Sequence, residues 1–107
     1  MIENLELDDN TCILEPDYLD RAVLGITDAK KLIYDYNILV DCYAAEGMSY
    51  EEAEEWVCYN TLRGIPYMGK YSPIVVREIE EVDDIDMYKE EGESIIVLHG
   101  KNFLVLS

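Results

Sequence analysis

The sequence predicts an α+β fold in which two adjacent helices pack on a small antiparallel sheet and a β-hairpin ends the chain. Three observations lead to this prediction. Two short β-prone runs precede the helices, a capping box marks the start of the second helix, and two apolar runs separated by a turn close the chain. With 107 residues, half of them hydrophobic, the chain is expected to form a single domain over residues 1–107 with its own core.

The first twenty residues contain seven acids and no base. Apolar residues lie on both sides of the turn-rich stretch "DDNT", so residues 1–20 are predicted to be an acidic arm or a short hairpin. The runs "AVLGIT" and "KLIYDY", which flank "DAK", predict a hairpin at the start of the helix-containing core, residues 22–76.

The first helix is predicted from Tyr36 to Glu46, where apolar residues recur at steps of three and four. Asp35 is placed to cap its beginning, because an aspartate side chain can accept from a free N–H of the first turn. Gly47 stands where a helix commonly ends.

The second helix is predicted to begin after Ser49, which forms a capping box with Glu52. One face is expected to be apolar and buried, and consists of Tyr50, Ala53, Trp56, Val57 and Asn60. The glutamates are expected to point mostly outward. Those of the first turn also suit the positive end of the helix dipole, so ordinary helix chemistry accounts for them without a ligand.

The second half of the chain predicts strands. Gly64 and Pro66 end the second helix, and "IVVREI" after Pro73 has the β-branched composition of a strand. After the acidic segment, residues 78–93, the runs "SIIVLHG" and "KNFLVLS" predict a terminal hairpin over residues 94–107. Its turn is expected at His99 to Asn102, with Gly100 at a positive φ.

The charge balance is the most unusual property of the composition. The chain has 24 acids and 8 bases, a net charge of −16, whereas a small soluble domain usually carries a magnitude of about 2 to 8. Nucleic acids and anionic membranes would repel such a surface, and a basic protein surface would attract it. No secretory signal or bilayer-length apolar run is present, so a cytoplasmic location is expected.

Catalytic and metal-binding patterns are weak. Cys12, Cys42 and Cys58 are far apart and contain no C-x-x-C pair, which favours reduced thiols. His99 is the single histidine, and nothing in the sequence brings it beside a cysteine. No EF-hand pattern or Gly-rich phosphate loop is found. We therefore expect a non-enzymatic protein without a cofactor or metal.

The acidic segment places nine carboxylates and one lysine in sixteen positions. As a helix it would carry one carboxylate per ~2.7 Å, and as an extended chain one per ~6 Å. One DNA strand carries about one charge per 3.4 Å of axis, so only a compact segment resembles a nucleic acid. The alternative is a solvated acidic connection between the strand and the hairpin.

One part of the chain carries a family pattern: "LGIT", "KLIYDY" and "EGMSYEEAEEWVCYNTLRGIPYMGKYSPIVV". In this stretch, roughly residues 22–76, the chain resembles short acidic proteins of bacteriophages and prophages that share a G-M-[ST]-Y-E-E-A helix start. The family has no assigned activity, so the resemblance implies no catalytic residue. It implies a bacterial host cell, and it makes anti-CRISPR and anti-restriction inhibitors the analogy at the level of class.

These observations predict an inhibitor that binds a basic, nucleic-acid-binding surface of a host defence nuclease such as a CRISPR effector, as a nucleic-acid mimic. The predicted contact residues are Glu80, Glu81, Asp83, Asp84, Asp86, Glu90, Glu91, Glu51, Glu54, Glu55, Tyr67 and Tyr71. The alternative is a phage accessory or assembly protein that self-associates or binds through apolar surface, for example along the edge of "FLVLS" in the terminal hairpin.

Overall fold

The computed structural model describes residues 5–79, 92 and 94–106, and the predicted α+β class is confirmed. The helical elements are a 3₁₀-helix Asp17–Ala22, α1 Tyr36–Ala45, α2 Tyr50–Trp56, a π-helical segment Val57–Leu62 and a 3₁₀-turn Ile65–Tyr67. The strands are β1 Val23–Ile26, β2 Leu32–Asp35, β3 Ile74–Ile79, β4 Ile95–Leu98 and β5 Lys101–Val105.

The five strands form one sheet in the order β1-β2-β3-β5-β4. Both predicted hairpins, β1–β2 and β4–β5, are antiparallel pairs, and β3 also pairs antiparallel with β5. The pair that joins the two halves, β2–β3, is parallel. The sheet is therefore mixed rather than purely antiparallel, because the helices between β2 and β3 form the crossover that a parallel pair requires.

The main core lies between the helices and one face of the sheet. It unites residues that are at most 7% exposed, such as Leu32 and Tyr34 of β2, Leu39 of α1 and Val57 after α2. A smaller cluster, Ile33, Val76 and Phe103, lies on strands β2, β3 and β5. Since successive side chains of a strand point to opposite faces, Ile33 leaves the sheet on the side opposite to its neighbours Leu32 and Tyr34.

The sheet curls around this smaller cluster. Leu24 of β1 and Leu98 of β4 both pack against it, although these strands stand at opposite ends of the strand order. The ring Nε2 of His99, directly after β4, also lies 3.1 Å from the carbonyl oxygen of Leu24. The curl brings the two sheet edges together and gives the fold a second apolar core, which the sequence analysis did not predict.

Both predicted helix caps are present. The Asp35 carboxylate accepts from the N–H of Ile38 at 3.2 Å, and the Ser49 hydroxyl accepts from the N–H of Glu52 at 3.2 Å. Gly47 follows α1 with a φ of 110°, a conformation that glycine adopts without steric cost. The boundaries of both helices thus follow from residues next to them in the sequence.

The N-terminal residues from Leu5 onward contain a turn but no strand in the described part. In that turn the N–H groups of Asn10 and Thr11 donate to the side chain and the carbonyl of Asp8. The backbone then continues along the core, where the N–H of Leu14 donates to the Tyr34 hydroxyl. Of the two alternatives for residues 1–20, the described residues have the form of an arm.

The terminal hairpin turns through His99 and Gly100, whose φ values are 52° and 76°. Two consecutive positive φ values are typical of the tight turns that match the twist of paired strands. The edge predicted for self-association is wrong: β5, which contains "FLV", pairs with β3 on one side and β4 on the other. Among the described strands, β4 is the last in the order on this side of the sheet, and its Val97 is 68% exposed.

Candidate functional site

Most carboxylates of the predicted partner-binding set lie outside the described residues: Glu80, Glu81, Asp83, Asp84, Asp86, Glu90 and Glu91. Glu78, at the start of the acidic segment, belongs to β3 and pairs with Lys101 at 3.6 Å. Fifteen acids and seven bases lie in the described part of the chain, which leaves it a charge of −8. About half of the negative charge is thus independent of the acidic segment.

The predicted glutamates of α2, Glu51, Glu54 and Glu55, are all exposed, as is their neighbour Glu52. Among the described residues, no cation forms an ion pair with Glu51, Glu54 or Glu55. At a rise of 1.5 Å per residue, four carboxylates in this seven-residue helix give one charge per ~2.6 Å. This density lies between that of one DNA strand and that of the duplex, about 3.4 and 1.7 Å per charge.

The two predicted aromatic anchors differ in exposure. Tyr67 ends the 3₁₀-turn after the π-helical segment and is 91% exposed. Tyr71 is half-buried; its carbonyl accepts from the N–H of Cys12, and the Lys70 ammonium lies 5.6 Å from its ring centroid. Tyr67 is therefore free to contact a partner, whereas Tyr71 also holds the N-terminal arm.

The predicted apolar face of the second helix is only partly correct. Ala53 and Val57 are fully buried, and Thr61, one turn further on, is 8% exposed. These three positions, four residues apart, form the buried side of this helical region. The prediction is wrong for Tyr50, Trp56 and Asn60, which the helical pattern placed on the buried face and which are exposed.

For Asn60 the cause lies in the backbone that follows α2, whereas Trp56 precedes that segment and belongs to α2 itself. From Val57 to Leu62 the chain is π-helical, so more residues fill each turn than in an α-helix and side chains are displaced around the axis. A spacing calculated for an α-helix therefore misplaces residues from this point onward. Such π-segments occur frequently at functional sites.

An apolar groove lies beside this segment. Its two basins, of about 510 and 390 Å³, share Met48, Trp56 and Asn60 and so form one continuous surface, which we call the Trp56 groove. The larger basin is also lined by Ile13, Leu14, Glu15, Pro16, Tyr18, Tyr43, Thr61 and Met68. The smaller one is also lined by Glu52, Glu55 and Tyr59. None of the described residues that line either basin is basic.

Aromatic contacts shape the groove. Tyr43 packs edge-on against Tyr18 at 5.9 Å and tilted against Trp56 at 6.1 Å, measured between ring centroids. At the smaller basin, the Arg63 guanidinium lies 4.6 Å from the ring centroid of Tyr59. The Trp56 side chain is 44% exposed and that of Tyr59 58%. At the surface, Trp56 thus packs against the ring of Tyr43, and Tyr59 against the guanidinium of Arg63.

Sequence reasoning missed the Trp56 groove, although Glu55 belonged to the predicted set. A usable signal was present, because Ala53, Val57 and Thr61, at steps of four, are enough to form a buried side of the helix. Trp56 and Tyr59 are then left on the adjacent side. The contribution of Ile13 and Tyr18 had no local signal, because it depends on the course of the N-terminal arm.

The thiols and the histidine lie in separate environments. The Cys12 thiol donates to the Met68 carbonyl, Cys42 accepts from Arg21 Nε at 3.1 Å, and Cys58 lies 3.8 Å from the Tyr36 hydroxyl. The His99 ring lies beside the carbonyl oxygen of Leu24. Burial, followed by the interaction with Cys58, raises the pKa of Tyr36 to about 12. These contacts join no thiol to the imidazole.

The described residues hold no group of three or more His, Cys, Asp or Glu side chains arranged to bind a metal ion. Within the same residues, the helices are too short or too polar to cross a bilayer. No protein-family model, curated protein or solved structure shows significant similarity to the chain. The resemblance to acidic phage proteins therefore stays a prediction.

Proposed function

We propose that the protein is a non-enzymatic inhibitor of the phage type, which binds a basic, nucleic-acid-binding surface of a host defence nuclease such as a CRISPR effector. The observation that carries the proposal is the row of exposed glutamates on α2, Glu51, Glu52, Glu54 and Glu55. Their helical spacing gives a density of charge comparable to that of a DNA strand, which a nucleic-acid cleft is built to attract.

Charge and exposed rings have separate roles in this proposal. The charge of −16 accelerates the encounter with a basic partner, and this attraction weakens with salt because the Debye length is only about 8 Å at physiological ionic strength. Short-range affinity comes from aromatic anchors, which dominate many interfaces. Tyr67, 91% exposed, is the more exposed of the two predicted anchors, and Tyr71 is the second candidate.

The proposal is tested by competition with nucleic acid. Purified CRISPR effectors and restriction nucleases are immobilised, and binding of the protein is measured with and without the DNA or guide RNA that each one recognises. We expect one of them to bind the protein, to release it when its nucleic acid is added, and to lose cleavage activity in its presence. A protein that binds none of them, or binds without affecting nucleic-acid binding or cleavage, would refute the proposal.

Three variants that each remove three negative charges locate the binding surface. One neutralises α2 (Glu51→Gln, Glu54→Gln, Glu55→Gln), and one neutralises part of the acidic segment (Asp83→Asn, Asp84→Asn, Asp86→Asn). The control neutralises exposed acids of the N-terminal arm and the β1–β2 turn (Glu6→Gln, Asp9→Asn, Asp28→Asn). Loss of affinity in the first or second variant, beyond that of the control, is expected. Equal losses in all three would mean that net charge alone is responsible.

The second candidate, a phage accessory or assembly protein, is favoured by β4, which ends the strand order among the described residues. This strand, "IIVL", carries no charged residue, and edge strands without charges tend to pair with other strands. Light scattering separates the two functions. An oligomer that persists in high salt and dissociates when Val97 is changed to lysine would support assembly.

A further inference from the structure

We infer that the Trp56 groove is a docking site for an amphipathic, basic peptide segment of a partner protein. The inference goes beyond the proposed function, because it concerns an apolar groove and the chemistry of its occupant. It holds or fails whether or not the partner is a nuclease.

The first argument is the apolar character of the groove. Trp56 lies at the junction of the two basins, and Met48 beside it belongs to both. Ile13 extends the apolar lining into the larger basin and is 45% exposed. Large apolar groups at the surface of a highly charged chain mark a contact site, and methionine adapts its shape to different ligands. An amphipathic segment would bury these groups with its apolar face.

The second argument is charge. Glu15 lines the larger basin, Glu52 and Glu55 line the smaller one, and the described lining of both contains no lysine, arginine or histidine. A segment with apolar side chains in the groove and basic side chains along its borders would neutralise these carboxylates. A second copy of this chain would bring further negative charge to the same place, and a nucleic acid would be repelled.

The third argument is the stacking of Arg63 on Tyr59. The guanidinium lies 4.6 Å from the centroid of a ring that lines the smaller basin. This geometry is a cation–π contact: Arg63 occupies this face of Tyr59, and the contact shows that an aromatic ring of the groove can bind a guanidinium. An arginine of the partner segment would stack on exposed rings of the groove in the same manner. Glu55 lines the same basin as Tyr59 and provides a carboxylate near such an arginine.

The experiment uses Trp56, the single tryptophan of the chain, as a fluorescent reporter. The probe is a synthetic amphipathic helix of about 16 residues with leucine at i, i+3, i+4 and i+7 and arginine elsewhere. We expect a saturable blue shift of Trp56 emission with one-to-one stoichiometry. A peptide of the same composition in scrambled order should bind at least about tenfold more weakly, and one with glutamate for arginine should not bind.

Matched variants assign the binding to the groove, with affinity measured by calorimetry. Ile13→Ser and Tyr59→Ser together should weaken binding about tenfold, whereas the control Val97→Ser, on the distant β4 edge, should not. Glu52→Gln with Glu55→Gln should weaken it more than the equally charged Asp9→Asn with Asp28→Asn.

Three outcomes would overturn the inference. Binding of the scrambled peptide as tight as that of the amphipathic one would indicate attraction by net charge alone. Equal affinities of the groove variants and the control variants would place the peptide elsewhere. A blue shift that depends on protein concentration without any peptide would assign the groove to a second copy of the chain.

Discussion

The Tyr34 hydroxyl accepts a hydrogen bond of 2.9 Å from the backbone N–H of Leu14 in the interior of the protein. Tyr34 belongs to β2 and is fully buried, and Leu14 is 7% exposed. The bond joins the N-terminal arm to the centre of the sheet, next to the residues that line the larger basin of the Trp56 groove. A strand residue thus helps to hold the arm in place.

We predict that Tyr34→Phe destabilises the protein by about 1–3 kcal/mol, because the N–H of Leu14 would remain buried without an acceptor. Chemical denaturation of the two proteins measures the difference. The matched control is Tyr50→Phe, which removes the exposed hydrogen bond from the Tyr50 hydroxyl to Asp41. It should cost less than about 0.5 kcal/mol, as is usual for surface substitutions. Equal losses in the two variants would show that the buried hydrogen bond contributes no more stability than the exposed one.

We predict a loss of stability in alkali. Burial raises the pKa of Tyr34 from its ordinary value of 10.0 to about 12. Because the folded state favours the neutral hydroxyl, this contribution is fully present below pH 10 and is lost as the pH rises toward 12. Denaturation at a series of pH values should show a steeper decline for the natural protein than for Tyr34→Phe. Parallel curves would contradict the assignment to Tyr34.

The cap of α1 provides a third prediction. Burial raises the pKa of Asp35 above 3.8, and the hydrogen bonds from Ile38 and Asn37 lower it only in part. The stability that this group contributes is therefore largest at acid pH and falls as the pH rises through its raised pKa in the folded state. Asparagine caps as well as aspartate and carries no charge.

At neutral pH, Asp35→Asn should be at least as stable as the natural protein, whereas Asp35→Ala should lose about 1 kcal/mol with the cap. Thermal or chemical denaturation of both variants at neutral and acid pH tests this. If Asp35→Asn were as unstable as Asp35→Ala, the negative charge itself would be required at this position.

The second core makes a fourth prediction. Phe103 is 3% exposed in the cluster inside the curled sheet, so Phe103→Ala should cost about 3–5 kcal/mol. Val97→Ala on β4 should change stability by less than about 0.5 kcal/mol. If Phe103→Ala does not fold, Phe103→Leu is measured instead, and its expected loss of stability is smaller. An unchanged stability of Phe103→Ala would mean that this second core contributes little to the stability of the protein.

The charge makes a fifth prediction. Self-repulsion at −16 destabilises the compact state, so the melting temperature should rise when sodium chloride is increased to about 0.5 M, where screening is strong. The α2 variant with Glu51, Glu54 and Glu55 changed to glutamine should show a smaller rise. An unchanged melting temperature would show that the acids are far enough apart to avoid repulsion.

The sequence by itself determined the local elements of this protein. Asp35, Ser49 and Gly47 define helix ends, and Gly100 defines the terminal turn, because each acts on neighbours a few residues away. The sequence also determined the net charge, from which the proposed class of partner follows.

Only the tertiary structure decided the parallel β2–β3 pair, the curl that brings Leu24 to His99, and the exposure of Trp56. These features depend on contacts between residues far apart in the chain. For Asn60, which lines both basins of the Trp56 groove, the π-helical segment matters as well, since it changes the period on which the prediction of a buried face rested. The groove also depends on the N-terminal arm, which Tyr34 helps to hold.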